Sequence, residues 1–212
     1  MLALTGSLVA IPAAGAATIS LDRSCYVERT AMVIRGTAFT PGAHIVLSGN
    51  GVFGQADADA TGAFVTTLQV PTNPNAGMRS SDVVNAQLKA ENSTTPADNT
   101  AIGYQVTNAG FSVSDSAGNP RKKRTFYFAG FPTGSTVWGH YRFAGKTLGN
   151  VKFGKSKGAC GLLSSRQALL PSSVPMRYGN WKIQWDNARK YKATRKPRVS
   201  TTLTTYRTFR PR

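Results

Sequence analysis

The sequence predicts an all-β chain of two tandem β-sandwiches, and three observations lead there. Short runs of alternating apolar and polar residues recur, and helical periodicity is absent. Clusters of Gly, Pro, Asn and Asp separate the runs at the spacing of turns. The second half of the chain also repeats the first, so one unit appears twice. At 212 residues the chain has room for two such units.

Residues 1–17, MLALTGSLVAIPAAGAA, are small and apolar and carry no charge. They end in the small-x-small pattern Ala14-Gly15-Ala16, which reads as a secretory signal peptide, although the usual Lys or Arg ahead of the apolar run is missing. A near-neutral unit follows over 18–108. Within it Met32 and Ile34 alternate with Val33 and Arg35, and Phe64, Thr66, Leu68 and Val70 with Val65, Thr67 and Gln69. Val84, Ala86, Leu88 and Ala90 oppose Asn85, Gln87, Lys89 and Glu91, and Ile102, Tyr104 and Val106 close the unit. Such alternation turns one face inward and leaves the other in water. The boundary is expected between Thr107 and Gly110, and the second unit spans 109–212.

Register between the copies comes from turn residues. RTAMVIRGTAFTPGAHIVLSG aligns with KRTFYFAGFPTGSTVWGHYRF, and Pro41-Gly42 with the stretched corner Pro132-Thr133-Gly134. Further on, Gly62 falls on Gly158, Phe64 on Cys160 and Pro71 on Pro171 after a four-residue insertion. This alignment makes Cys160 an inward core residue. It also assigns the stretch RKKRTFYFAGFPTG two parts: Phe126 and Phe128 are core positions matching Met32 and Ile34, while Arg121, Lys122, Lys123 and Arg124 form an available basic loop.

The phrase CYVERTAMVIRGTAFTPGAHIVLSGNG, followed by ADATGAFVTTLQVP, resembles the tandem immunoglobulin-like repeats of exported actinobacterial proteins, which are largely uncharacterised. GFPTGSTVWGHYRFAGKT, GACGLL and GNWKIQWDNARKY are similar to the basic C-terminal module that often follows such a repeat. The resemblance covers nearly the whole mature chain. It implies two tandem immunoglobulin-like β-sandwiches after a signal peptide, and an extracellular or cell-surface location. Its motifs are turn residues, so it speaks for fold rather than activity.

Charge divides the two units. From Thr18 to Asn108 there are five basic residues against seven acidic, a net of −2; from Ala109 onward there are 21 basic against Asp115 and Asp186, a net of +19. Solubility asks for a magnitude of only ~2–8, so a field this strong is expected to attract polyanions. The basic residues form three clusters: Arg121 to Arg124; Arg142, Lys146, Lys152, Lys155 and Lys157; and Arg189, Lys190, Lys192, Arg195, Lys196 and Arg198. A shared binding role requires that they converge on one face. For an exported chain the expected ligand is an anionic envelope polymer, teichoic-acid-like or an acidic polysaccharide, with nucleic acid as the alternative.

Aromatic residues interleave this charge. In WKIQW, alternation places Trp181, Ile183 and Trp185 inward and Lys182 and Gln184 outward. Tyr127 and Trp138 are the candidates for stacking on a ligand, Trp138 sharing a face with His140 and Arg142.

Enzymatic readings find little material. GHYRFAGKTLGNVKFGKSKGACG resembles in part the Ser-His-Gly-Cys loop of L,D-transpeptidases, but no His stands beside Cys160 and no Arg just after it. DADATG places Asp57, Asp59, Thr61 and Gly62 in calcium-loop order, but the twelfth position is Leu68 where a bidentate Glu is needed, so a turn is the better reading. No catalytic residue, metal or cofactor is therefore expected. Cys25 and Cys160 are read as two buried thiols, because tandem domains seldom bring such positions within disulfide reach; one disulfide stapling the units is the alternative. The functional expectation is a non-enzymatic binding or adhesion module. A structural surface protein working through protein contacts is the second reading.

Overall fold

A computed structural model describes residues 16–73, 75–77, 82–116 and 118–206. The signal-peptide reading thus falls, up to residue 15, outside the described residues.

Eight strands build the first sandwich: β1 (Thr18–Leu21), β2 (Cys25–Val27), β3 (Ala31–Thr37), β4 (His44–Gly49), β5 (Val52–Asp57), β6 (Phe64–Gln69), β7 (Val84–Asn92) and β8 (Thr100–Thr107). They form a three-stranded sheet in the order β1-β3-β6 and a five-stranded sheet in the order β2-β8-β7-β4-β5. Strand β2 runs parallel to β8, with Cys25 opposite Gln105, and the other pairs are antiparallel. The alternation in the sequence sets which side chains meet between the sheets. Met32, Ile34, Ile45, Leu47, Leu88 and Tyr104 are buried in one core.

Seven more strands build the second sandwich: β9 (Gly110–Val113), β10 (Lys123–Ala129), β11 (Thr136–Phe143), β12 (Lys146–Lys155), β13 (Leu163–Ala168), β14 (Gly179–Asp186) and β15 (Arg198–Thr205). Their sheets run β13-β10-β9 and β12-β11-β14-β15. This is the immunoglobulin-like arrangement. It is also the first sandwich strand for strand, with β9 standing for β1, β10 for β3 and β15 for β8; β2 alone has no counterpart among the described residues. Phe126, Phe128, Trp181, Ile183 and Trp185 are buried in its core, as their alternation requires.

Packing corrects the register of the second repeat. Gly62 lies with φ +76° against the backbone of Phe39, where a β-carbon would sit 2.1 Å from its carbonyl oxygen; Gly161, φ +60°, lies the same way against Phe131. Gly161 is therefore the counterpart of Gly62, and Gly158 is not. Cys160 leaves the core position of Phe64 and joins the turn before β13. The turn residues misled because Gly158 and Gly161 both open a short apolar run, and only the close approach to Phe131 distinguishes them.

That turn meets the first sandwich. Cys160 is bonded to Cys25 with their α-carbons 5.2 Å apart, joining positions 135 residues distant in sequence. The reading of two thiols was wrong. Its premise was that Cys160 lay in the interior of the second sandwich, and the corrected register removes it. The connection from β8 to β9 is only Asn108 and Ala109, and Gly130 packs its α-carbon against Val27 and Ala109, where a side chain would collide. A short linker, a covalent bond and a glycine contact hold the junction.

Candidate polyanion-binding face

The four basic residues that open β10 do not form a loop patch. Arg121 directs its guanidinium at three main-chain carbonyls, donating to Leu170 O (2.8 Å), Val174 O (2.9 Å) and Pro171 O. Arg124 is 4 % exposed and donates to Asn119 O and Lys122 O, both at 2.9 Å, with Asp115 3.9 Å away. The arginine forks supply donors to these carbonyls, of which Asn119 O and Pro171 O also accept from Lys122 N and Val174 N. The expectation that Arg121 and Arg124 remain available to a polyanion is overturned. Lys122 and Lys123 are exposed, but Lys123 lies on the three-stranded sheet opposite Ala168. Tyr127 lies on that sheet too, half-buried opposite Ser164.

Most of the other two clusters meets on the outer face of the four-stranded sheet. Three rows cross β11, β14 and β15 in register: Trp138, Asp186 and Arg198; His140, Gln184 and Ser200; Arg142, Lys182 and Thr202. On β12, Lys152 stands opposite Trp138 and Lys155 opposite Thr136, while Lys146 starts the strand at the hairpin. Lys157 is exposed beyond the end of β12, in a bridge to Leu162. A common face is thus shared by Arg142, Lys152 and Lys155 of the second cluster and by the third cluster; Lys146 and Lys157 lie at the two ends of β12, and the first cluster is elsewhere.

Residues 187–197 fold back over this face. Tyr191 sits edge-on to His140, ring centres 5.8 Å apart, and Gln184 donates to the carbonyl of Lys192 at 3.0 Å. Arg189, Lys190, Lys192, Arg195 and Lys196 are carried on the loop with their side chains exposed. Arg189 reaches back over Trp138, 6.0 Å from the ring centre, so the expected stacking platform is half-buried and already capped by a cation. Arg142 lies 4.4 Å from the centre of the Tyr191 ring and donates to Tyr191 Oη (2.8 Å) and Gly145 O (2.6 Å).

Beneath the loop the face is polar and closed. His140 and Asp186 are both 0 % exposed. His140 Nδ1 is 2.6 Å from Asn150 Oδ1, and its Nε2 is 3.1 Å from Asp186 Oδ1. Asp186 also accepts from Gln184 Nε2 (2.7 Å) and from the amide of Ala188 (2.8 Å). The single acidic residue on this face is therefore shut in and saturated by its own sheet and loop. The cations outside it face no exposed carboxylate.

Alternation marks Lys182 as outward, between the inward Trp181 and Ile183, yet it lies in none of the sequence clusters. The signal was present in WKIQW but stood alone, since its neighbours in space, Arg142 and Thr202, come from other strands. Gln184, expected outward with it, is buried by the loop.

Arg142, Lys182, Tyr191, Ser200 and Thr202 line a concavity of about 210 Å³. A wider crevice of about 640 Å³ lies at the junction of the sandwiches, with Cys25, Cys160, Tyr26 and Phe131 in its walls and Arg23 at its side. Its threonines are turned to their own backbone: Thr30, Thr107 and Thr133 donate to Val27 O, Gly77 O and Gly158 O at 2.6, 2.8 and 2.7 Å. Burial, and then its bond to Asp22, hold the Tyr26 phenol well above its ordinary pKa. Cys160, being disulfide-bonded, presents no thiol there. Asp59 accepts from Thr61 N, Thr61 Oγ1 and Ala63 N, which makes DADATG a turn held by its own carboxylate.

No protein-family model matches the chain, and no curated protein matches it. Among solved structures it is similar to macromomycin, at 15 % identity and a TM-score of 0.33, over 44 % of this chain and all of that one. It is similar to a tetra-tandem repeat from the extending region of a large adhesion protein, at 14 % identity and 0.29, over 89 % of this chain and 48 % of that one. A two-domain fibronectin type III segment of chicken tenascin matches at 11 % identity and 0.30, over 89 % and 98 % of the two chains. At such TM-scores these likenesses add nothing to the strand topology. Among the described residues no helix is long and apolar enough to cross a membrane.

Proposed function

We propose that the chain is an exported, non-enzymatic binding module of the kind the actinobacterial resemblance implies, whose second sandwich associates with an anionic cell-envelope polymer. The observation that carries this is the outer face of the four-stranded sheet. There Arg142, Lys152, Lys182 and Arg198 project from neighbouring strands, loop cations surround them, and the one acidic residue is enclosed. Such a field attracts a polyanion and, on binding, displaces the counter-ions condensed along it. The disulfide between Cys25 and Cys160 supports an oxidising, extracytoplasmic setting. The near-neutral first sandwich spaces or presents the second.

The test uses the full chain with its disulfide intact, titrated with an anionic envelope polymer over a range of salt. Affinity should fall linearly on a log–log plot, with a slope of roughly −0.7 for each phosphate neutralised on a flexible strand. Binding that ignores ionic strength would rule the reading out.

A further inference from the structure

The concavity between β11, β14 and β15 brings two cations together without a counter-charge. Arg142 and Lys182 are direct cross-strand partners, an arrangement in which like charges repel at close range. No carboxylate lines the concavity to offset them. An anion seated between the two side chains offsets that repulsion.

We propose that this concavity is a subsite for a single phosphate group, so that the polymer read above is a polyol phosphodiester; the inference rests on the cationic-face reading and narrows it. Both terminal nitrogens of Arg142 already hold protein partners, Tyr191 Oη and Gly145 O, each keeping one further N–H, so the guanidinium is anchored in place. What the concavity offers is the remaining Arg142 N–H groups, the Lys182 ammonium and the strand hydroxyls of Ser200 and Thr202. These are separate donors set around a volume, which suits a tetrahedral oxyanion better than a planar one. At about 210 Å³ the space is below the 300–1,000 Å³ of sites for whole small molecules. It fits one charged group of a longer chain.

The surroundings argue against nucleic acid as the source of the phosphate. Single-strand binders set open aromatic faces beside their cations. Here the Tyr191 ring lies under Arg142 and the Trp138 ring under Arg189, while Tyr127 is on the other sheet. The rings beside this concavity offer bases no free platform; the exposed Tyr178 and Tyr206 stand beyond it, at the Gly179–Thr205 end of the β14–β15 pair. A backbone of glycerol or ribitol phosphates needs none.

Three polymers of matched charge number decide the matter, each titrated against the full disulfide-bonded chain: poly(glycerol phosphate), oligo-dT and polygalacturonate. The wild type should prefer poly(glycerol phosphate) about tenfold over polygalacturonate, and Lys182→Gln should abolish that preference. Lys155→Gln, on the same sheet but opposite Thr136, should weaken all three polymers alike and leave the preference intact. Thr202→Val changes no charge; it should cost the phosphate polymer a few-fold with the salt slope unchanged. Equal salt-dependent binding of the three polymers, or Lys182→Gln and Lys155→Gln behaving alike, overturns the subsite and leaves the cationic face standing. Tightest binding to oligo-dT overturns the polyol assignment. No salt-dependent binding to any polymer overturns the underlying reading itself.

Discussion

Arg121 and Lys122 are neighbours in sequence with opposite tasks. The guanidinium of Arg121 satisfies three carbonyls of the segment that follows β13, whereas the Lys122 ammonium stands in water. Substituting Arg121→Gln takes the arginine donors from the Leu170 and Val174 carbonyls, Pro171 O keeping the Val174 amide, and should lower stability by about 2–3 kcal/mol in urea unfolding. Lys122→Gln should stay within about 0.5 kcal/mol. The inward tryptophans give a larger effect. Trp181 is fully buried, packs on Phe143 with ring centres 5.1 Å apart and donates its indole N–H to Arg177 O. Trp181→Ala is expected to cost about 3–5 kcal/mol by the same measurement. Composition alone treats all these cations alike; their neighbours in space separate them.

The loop from β14 to β15 is held down by a buried polar core, and its cations are positioned only as well as that core holds. Replacing Asp186 with Ala removes the acceptor of His140 Nε2, Gln184 Nε2 and the Ala188 amide together. The expected cost is about 3 kcal/mol, with faster amide exchange at Ala188 as the readout that the loop has lifted. Turns of the first sandwich depend on carboxylates in a different way. Asp98 accepts from the amide and hydroxyl of Thr40 and from Asn92, and Asp59 from its own turn; these hydrogen bonds, led by the Thr40 amide for Asp98 and the Thr61 hydroxyl for Asp59, hold both pKa values below the ordinary 3.8. A depressed carboxylate stabilises the fold at pH above its unfolded value. That contribution disappears as pH drops below 3.8 through the folded value. Unfolding followed from pH 6 to pH 2 should therefore show stability falling on the acid side, and Asp98→Asn should flatten the fall.

Joined at the Cys25–Cys160 bond, the two sandwiches cannot separate as beads on a string. Native chain should take up no thiol reagent even after unfolding, and two equivalents once reductant is added. A Cys25→Ser, Cys160→Ser double variant keeps both cores but loses a cross-link spanning 135 residues, worth up to about 5 kcal/mol in the chain-entropy picture. Small-angle scattering should then report a broader spread of domain separations about the Asn108-Ala109 connection. An unchanged scattering profile would show that the Gly130 contact holds the junction without the bond.

Alternation and turn chemistry made the two sandwiches, their inward faces and the burial of Trp181 and Trp185 readable from the chain alone, because a strand's two-residue period is a local property. The charge division was equally plain, being a matter of counting. Three things were not local. The register that places Gly161 on Gly62 depends on how closely two backbones approach, and that in turn put Cys160 beside Cys25. The withdrawal of Arg121 depends on carbonyls about fifty residues further along. The meeting of Arg142, Lys182 and Thr202 depends on strand order, which sets three residues from separate segments in one row. Periodicity decides which way a side chain points; only the assembled sheets decide what it points at.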